Sequence, residues 1–243
     1  MTRATVIAIM FVGLIVPASQ LHAQDVERPT RVTGNTPLPD RYPYVVKDIL
    51  KYCQPKEGFW IDLGAGKGQV GIPLIEATNN PVTMLDPDVK AMSKGLEIAR
   101  EKGLEHRLFA VVGVAEDMPF PDNSVDLVVS HGSIFFWDDQ VKGLQEIYRV
   151  LRPGGKAMIG GGVGSTYPQW AVEEYFRRRQ AHFGKADTKK TKHFVKVRSP
   201  ETFRRWAEDA KLPSFEITGK GALSVGDPKA GLGIWLRFTK QQK

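Results

Sequence analysis

Sulfhydryl chemistry is nearly absent from this chain of 243 residues, which has one cysteine, Cys53. A single thiol excludes an internal disulfide and any multi-cysteine metal site, and no metal is assigned. Its plain place is the buried face of a helix. Long apolar runs are also missing. The longest near the start, Ala4 to Val16, has 13 residues, short of the roughly 20 that a membrane-spanning helix needs. There are no internal repeats. What is present is ordinary: 42% hydrophobic and 25% charged residues, with 24 Gly and 16 Pro. Such values exclude collagen-like, coiled-coil and wholly disordered chains. The length suits one α/β domain with a proper core. The charge is not balanced, since 34 Lys and Arg face 27 Asp and Glu, a net +7.

The first residues separate from the rest. Met1-Thr2-Arg3 is a short basic start, followed by the apolar run and by Pro17 to Ala23, a polar stretch ending in a small residue. That order predicts a secretory signal peptide over residues 1–23, cleaved after Ala23, and hence an exported protein, periplasmic or secreted. An uncleaved N-terminal membrane anchor is the alternative. No cysteine follows the run to take a lipid. Residues 24–40, with Pro29, Pro37 and Pro39, read as a linker or loosely held arm. One domain is expected over 41–243.

Strand and helix signals alternate through that domain. A helix is expected over Tyr44 to Tyr52, a strand over Phe59 to Leu63, and a glycine turn leading into a helix that ends near Thr78. A strand over Val82 to Asp86, a helix over Val89 to Lys102 and short strands over Leu108 to Val112 and Val125 to Ser130 follow. Gln140 to Leu151 is amphipathic, and the turn Arg152-Pro153-Gly154-Gly155 leads into a strand over Lys156 to Gly160. Strands spaced by helices mean right-handed βαβ units, a doubly wound, Rossmann-like and mostly parallel sheet. Ser199-Pro200-Glu201 carries a cap, a first-position proline and a first-turn acid, and starts a helix running to Lys211. Two strand-like runs near Phe215–Thr218 and Leu232–Thr239, with no helix between them, predict an antiparallel C-terminal hairpin.

The chemistry sits in Asp62-Leu63-Gly64-Ala65-Gly66-Lys67-Gly68. Three glycines at this spacing are a weak signal alone. Here they follow the first strand and precede the first helix, where a doubly wound sheet binds nucleotides. Gly66-Lys67-Gly68-Gln69-Val70-Gly71 also spells the dinucleotide fingerprint, but Asp62 would bring a carboxylate toward a pyrophosphate. A ligand bearing a sulfonium and an ammonium would instead welcome it. Asp86, closing the second strand, is placed to accept from ribose hydroxyls. A helix cap in Asp86-Pro87-Asp88 is the structural alternative, compatible with that role.

These residues resemble the class I S-adenosylmethionine-dependent methyltransferases, and within them the type-11 methyltransferase domain family. The signature runs in order through Asp62 to Gly68, Leu85-Asp86, Ala115 to Val128 and Glu146 to Gly155. It covers residues 42 to 160 well, and the C-terminal third only by element order. The resemblance implies a seven-stranded sheet whose last strand is antiparallel, with S-adenosylmethionine as cofactor. It implies that Gly64, Ala65, Gly66 and Gly68 wrap the methionine part, with Asp62 near the ammonium. Asp86 would hold the ribose, and Ala115 and Glu116 would lie along the adenine. Relatives often carry Asp just before that Ala-Glu pair, accepting from the adenine amino group; here the residue is Val114. One lost hydrogen bond costs on the order of 1 kcal/mol.

In this fold the transferred methyl points toward the loop after the fourth strand, Ser130 to Asp138. His131 is the candidate base, needed only where the acceptor must lose a proton. Phe135, Phe136 and Trp137 are candidate pocket walls. Between Pro168 and Arg198 nine Lys or Arg stand against Glu173, Glu174 and Asp187, nearly the whole net charge of the chain. This basic acceptor-side segment, about 163–198, points to an anionic or phenolic small-molecule acceptor, or through 177–198 to an anionic surface. A solvated face is the plain alternative. No nucleic-acid recognition motif is present. The Asn-Pro-Pro-aromatic motif of amino-group DNA methyltransferases and the cysteine set of arsenite methyltransferases are missing. Methyl transfer to a small acceptor is therefore expected. A non-catalytic S-adenosylmethionine- or nucleoside-binding protein on the same scaffold is the competing reading, and a dinucleotide-dependent oxidoreductase a distant third.

Overall fold

The computed structural model describes residues 27–30, 33, 36–183, 193, 196–221 and 233–242. The expected signal segment and the lysines at 185, 189, 190 and 192 lie outside them.

The strands are β1 (Trp60–Leu63), β2 (Val82–Asp86), β3 (Leu108–Val112), β4 (Val125–His131), β5 (Leu151–Gly161), β6 (Glu216–Gly221) and β7 (Gly233–Thr239). The helices are α1 (Tyr42–Cys53), α2 (Gly71–Thr78), α3 (Val89–Glu101), α4 (Gln140–Val150), α5 (Gln169–Phe183) and α6 (Pro200–Asp209). One seven-stranded sheet runs in the order β3-β2-β1-β4-β5-β7-β6. β1 pairs in parallel with both β2 and β4, so strand order reverses there. That reversal is where such a sheet leaves a crevice at the carboxyl ends of its strands. β7 runs antiparallel between β5 and β6, so the expected hairpin closes the sheet.

Both faces are covered, which is why the central strands read as nearly unbroken apolar runs. On one face Val45 and Ile49 of α1, Leu74 and Ile75 of α2 and Met92 of α3 pack on Met84, Val129 and Met158. On the other, Leu144 and Ile147 of α4 and Phe203 of α6 pack on Ile61, Val128 and Ile159. Cys53 closes α1 and is buried, its thiol pushed up to about 11 chiefly by desolvation. Caps set the helix starts. Asp88, rather than Asp86, caps α3 by accepting from Ala91 N–H, and Ser199 caps α6 by accepting from Thr202 N–H.

Two elements differ from the sequence reading. β5 begins at Leu151, five residues early: Leu151 already pairs with Val125, and the ladder resumes at Lys156 opposite Leu127 after a register shift. The Pro-Gly-Gly turn is thus an irregularity within the strand. α5 was not anticipated, because Glu173, Glu174 and Arg177 to Arg179 interrupt any apolar stripe. Trp170, Ala171 and Val172 at its start instead join Tyr44, Val163 and Tyr167 in a separate small core. Part of the arm before α1 is held by this unit: Tyr167 donates to the Pro39 carbonyl at 2.7 Å, and Arg178 donates to the carbonyls of Thr33 and Thr36. Among the described residues no helix is long and apolar enough to cross a membrane.

Candidate functional site

The glycine turn between β1 and α2 adopts a conformation that side chains resist. Gly64, Gly66 and Gly68 have φ of +67°, +53° and +74°. A Cβ on Gly64 would stand 2.1 Å from the Cβ of Ser133. The turn is tied on two sides by acids. Asp86 accepts from Gly66 N–H through Oδ2 at 2.8 Å and from Asp88 N–H through Oδ1 at 2.7 Å. Each carboxylate oxygen has a second lone pair, so Asp86 can take hydroxyl donors while holding the turn. Asp62 is fully buried and accepts from Gly71 N–H at 2.8 Å, at the start of α2. Burial pushes its carboxyl up to about 7, with the nearby Asp86 adding to the rise and the Gly71 N–H opposing it.

Beyond Asp86 lies a cavity of about 180 Å³ lined mainly by Leu63, Leu85, Val114, Ala115, Phe136 and Trp137, with Glu116 and Asp138 at its polar side. Ala115 is buried, and Glu116 accepts from Asp139 N–H at 3.1 Å, so its carboxylate leans on the start of α4. Arg149 fixes this loop from below. It donates to the carbonyls of Met118 and Phe120 and pairs with Glu146 at 2.7 Å, while Glu146 accepts from Met118 N–H. Arg149 lowers the carboxyl pKa of Glu146, chiefly through that hydrogen bond. The two late signature pieces, Ala115 to Val128 and Glu146 to Gly155, are therefore one structural unit.

The turn, Asp86 and the apolar cavity form one continuous path along the carboxyl ends of β1, β2 and β3. The residues present fit an adenosine joined to a short amino acid. Left-handed glycines would bring bare backbone to it, the Asp86 carboxylate could accept from its hydroxyls, and apolar side chains could receive the base.

The loop after β4 presses on the glycine turn from the other side. Ser133 Oγ donates to the Leu63 carbonyl and accepts from Trp137 Nε1. His131 lies on the opposite side of that strand end. Its Nε2 is 2.8 Å from the Gly162 carbonyl, and its ring meets Tyr42 edge-on at 5.3 Å and Trp235 at 5.6 Å. Burial lowers its pKa, which favours the neutral imidazole, and Arg41 adds in the same direction. Tyr42 accepts from Gln69 Nε2 of the glycine segment at 3.1 Å, and burial raises its phenol pKa. Tyr42 thus joins the glycine turn to His131. Sequence reasoning missed it and Arg41, because nothing local marks the first turn of α1 as part of a site. α1 is held there by Asp48, which accepts from both N–H and Oγ of Ser165 after β5.

The basic segment divides. Arg177 and Arg178 both pair with Glu174 at 2.6 Å, and Arg178 also holds the arm, so neither is a free cation. Arg198 places its guanidinium 3.8 Å from the centroid of Phe135 in the loop after β4.

Comparisons with known proteins agree with this geometry. The family model of a methyltransferase domain matches residues 61–159. The 2-methyl-6-phytyl-1,4-hydroquinone methyltransferase of Arabidopsis thaliana is 35% identical over 117 residues, 48% of this chain and 32% of that protein. The ubiquinone/menaquinone biosynthesis C-methyltransferase of Brucella abortus is 37% identical over 98 residues, 40% of this chain and 36% of that protein. The chain therefore spans about a third of the length of these curated relatives. Among solved structures, an S-adenosyl-L-methionine-dependent methyltransferase from Methanococcus maripaludis superposes with a TM-score of 0.67 at 28% identity, covering 84% of this chain and 86% of that one. Geranyl diphosphate C-methyltransferase from Streptomyces coelicolor A3(2) shares the fold, with a TM-score of 0.54 at 16% identity over 81% of this chain and 78% of that one.

Proposed function

We propose, from the premise that residues 61–159 make this chain a member of the class I S-adenosylmethionine-dependent methyltransferases, that the protein methylates a small anionic or phenolic acceptor. One observation carries the reading: Tyr42 bridges the glycine turn, through Gln69, to His131 at the end of β4. The wall beside a bound cofactor is thus built from a phenol and a neutral imidazole, with Arg41 adjoining.

S-adenosylmethionine supplies an electrophilic methyl group on sulfur. Asp86 would take the ribose hydroxyls, Gly64 to Gly68 would pass close to the amino-acid part, and the Leu63–Trp137 cavity would take the base. The buried Asp62 carboxylate lies behind the turn and favours the ammonium through the field it sets up. Across the strand ends, Tyr42 and His131 exclude water from the path between acceptor and sulfur. The wall would hold an acceptor close to and in line with the methyl donor, and such alignment supplies much of the rate of a group transfer. His131 Nε2 lies 2.8 Å from the Gly162 carbonyl and also faces the Gly162 N–H at 3.3 Å; in the tautomer whose Nε2–H donates to the carbonyl, Nδ1 holds a lone pair that can receive a phenol's proton. Arg41, which stacks on Tyr175 and acts electrostatically on His131, favours an acidic group on the acceptor. The relatives named for a hydroquinone and for ubiquinone/menaquinone biosynthesis are consistent with a phenolic acceptor.

The apolar run Ala4–Val16 with the small residue Ala23 supports export of the mature chain. Intact mass after expression in a secreting host is expected to show a start near Gln24; retention of residues 1–23 on soluble protein overturns this. For the chemistry, an acceptor screen with radiolabelled cofactor comes first. His131→Ala is then expected to lower kcat by about tenfold to a hundredfold, with cofactor affinity within about twofold of wild type. Equal turnover removes His131 from the mechanism, and a preference for cationic acceptors overturns the acceptor class.

A further inference from the structure

The cavity beyond Asp86 has a feature the cofactor reading leaves unused. Its rim is apolar and open. Phe136 is 81% exposed and Val114 42% exposed, and both line the cavity. Two more exposed apolar side chains, Val112 and Val89, stand on the neighbouring ends of β3 and α3. Exposed aromatics on this scale are uncommon unless something covers them. Phe136 belongs to a single 3-10 turn, Ile134–Phe136, whose other members are anchored: Ile134 is fully buried and Phe135 packs on Phe203. The floor is fixed as well, since Trp137 is held through Nε1 by Ser133 and its ring packs where Gly143 has no side chain.

Two carboxylates, Glu116 and Asp138, also line the cavity. Glu116 accepts from Asp139 N–H. Asp117 is exposed, gives its N–H to the Val114 carbonyl at 3.4 Å, and is not part of the lining. Asp138 lines the cavity but is exposed to solvent.

Resting on the reading that this cavity takes the cofactor's base, we propose that it binds the purine by apolar contact, chiefly with Phe136 and Val114, and does not read the 6-amino group. A site built to hydrogen-bond a polar group strongly rejects an analogue lacking it, because its own polar atoms are then stranded. The apolar side chains strand nothing, and without the amino group Glu116 keeps its Asp139 N–H and Asp138 its solvent. With Val114 half-open to solvent, the amino group stays hydrated in the complex, so deleting it neither loses a protein bond nor relieves a burial. The base-binding energy comes instead from covering Phe136 and Val114, on the scale of about 25 cal/mol per Å².

The test is calorimetry with two ligands, S-adenosylhomocysteine and its 6-deamino analogue, which carries purine in place of adenine and keeps every ring nitrogen. Wild type is expected to bind the two within about threefold, where a side-chain acceptor would separate them by about tenfold or more. Phe136→Ala is expected to weaken both in parallel by about threefold to tenfold. Val114→Asp is expected to split them, tightening only the amino-bearing ligand; Val114→Asn asks the same question should the aspartate variant not fold. A wild-type separation of tenfold overturns the proposal. So does a fall in that separation in Glu116→Gln or Asp138→Asn, which would identify the carboxylate that reads the amino group. Absence of S-adenosylhomocysteine binding to the folded wild type is a different result, since it removes the cofactor reading itself.

Discussion

The cofactor edge and the acceptor wall are built by different means. Along β1, β2 and β3 the site is made of short turns whose acids grip backbone N–H groups: Asp86 holds Gly66 and Asp88, and Asp62 holds Gly71. The partners are at most 20 residues apart in sequence. The acceptor wall is assembled from side chains far apart in the chain. Asp48 meets Ser165 across 117 residues, and Tyr167 reaches Pro39 across 128. The acids of the cofactor edge grip near neighbours, with Ser133 adding one long-range tie to Leu63, whereas the wall depends on tertiary assembly throughout, so each should respond to substitution differently.

The largest effect is expected on the cofactor edge. Asp86→Ala removes the acceptor for ribose and the tie on Gly66, and S-adenosylhomocysteine affinity should fall by tenfold or more, about 1.5–3 kcal/mol. Unchanged affinity in a folded variant would separate Asp86 from the ligand. The wall should show the reverse split. Asp48→Ala leaves Ser165 without its partner and frees α1, so turnover should fall about threefold to thirtyfold with the acceptor's KM rising, while cofactor affinity holds. If cofactor affinity falls equally, the two regions are one cooperative unit.

A smaller effect concerns pH. Asp62 has a folded pKa raised from the ordinary carboxylate range to about 7. The sign follows from linkage: the native state binds this proton more tightly than the unfolded chain, so Asp62 costs stability as pH rises from about 4 to 7, with no further change above. A ligand ammonium favours the ionised form. Cofactor affinity should therefore rise about threefold to tenfold from pH 5.5 to 7.5, and Asp62→Asn should flatten that rise. A flat wild-type profile would mean that the ammonium does not sense this carboxylate.

The same division decides what could be read from sequence. The strand–glycine–helix order, Asp86 closing β2 and the cap at Ser199 are local, and each has a residue-level signal that the structure bears out. The C-terminal hairpin was legible for the same reason. The start of β5 was not, because a Pro-Gly-Gly turn looks like an end, and only pairing of Leu151 with Val125 on the next strand carries the ladder through it. α5 was hidden by its charges, of which Arg177 and Arg178 pair with the buried Glu174. Arg41 and Tyr42 could not be found, since their roles exist only once α1 lies against β4 and the segment after β5.

The link from Asp48 to Ser165 also orders events during synthesis. A chain emerges from its N-terminus, and domains generally fold as it does so. The strands that carry the glycine turn and Asp86 are out once residue 112 follows, and α1 can pack on α2 by then, whereas the tie from Asp48 waits for residue 165. For that interval α1 rests on α2, with Tyr42 beside Gln69 and the Asp48 carboxylate still without Ser165. The wall against the acceptor thus closes after the glycine turn is laid down, and its far side waits longer still, for Trp235 to reach His131.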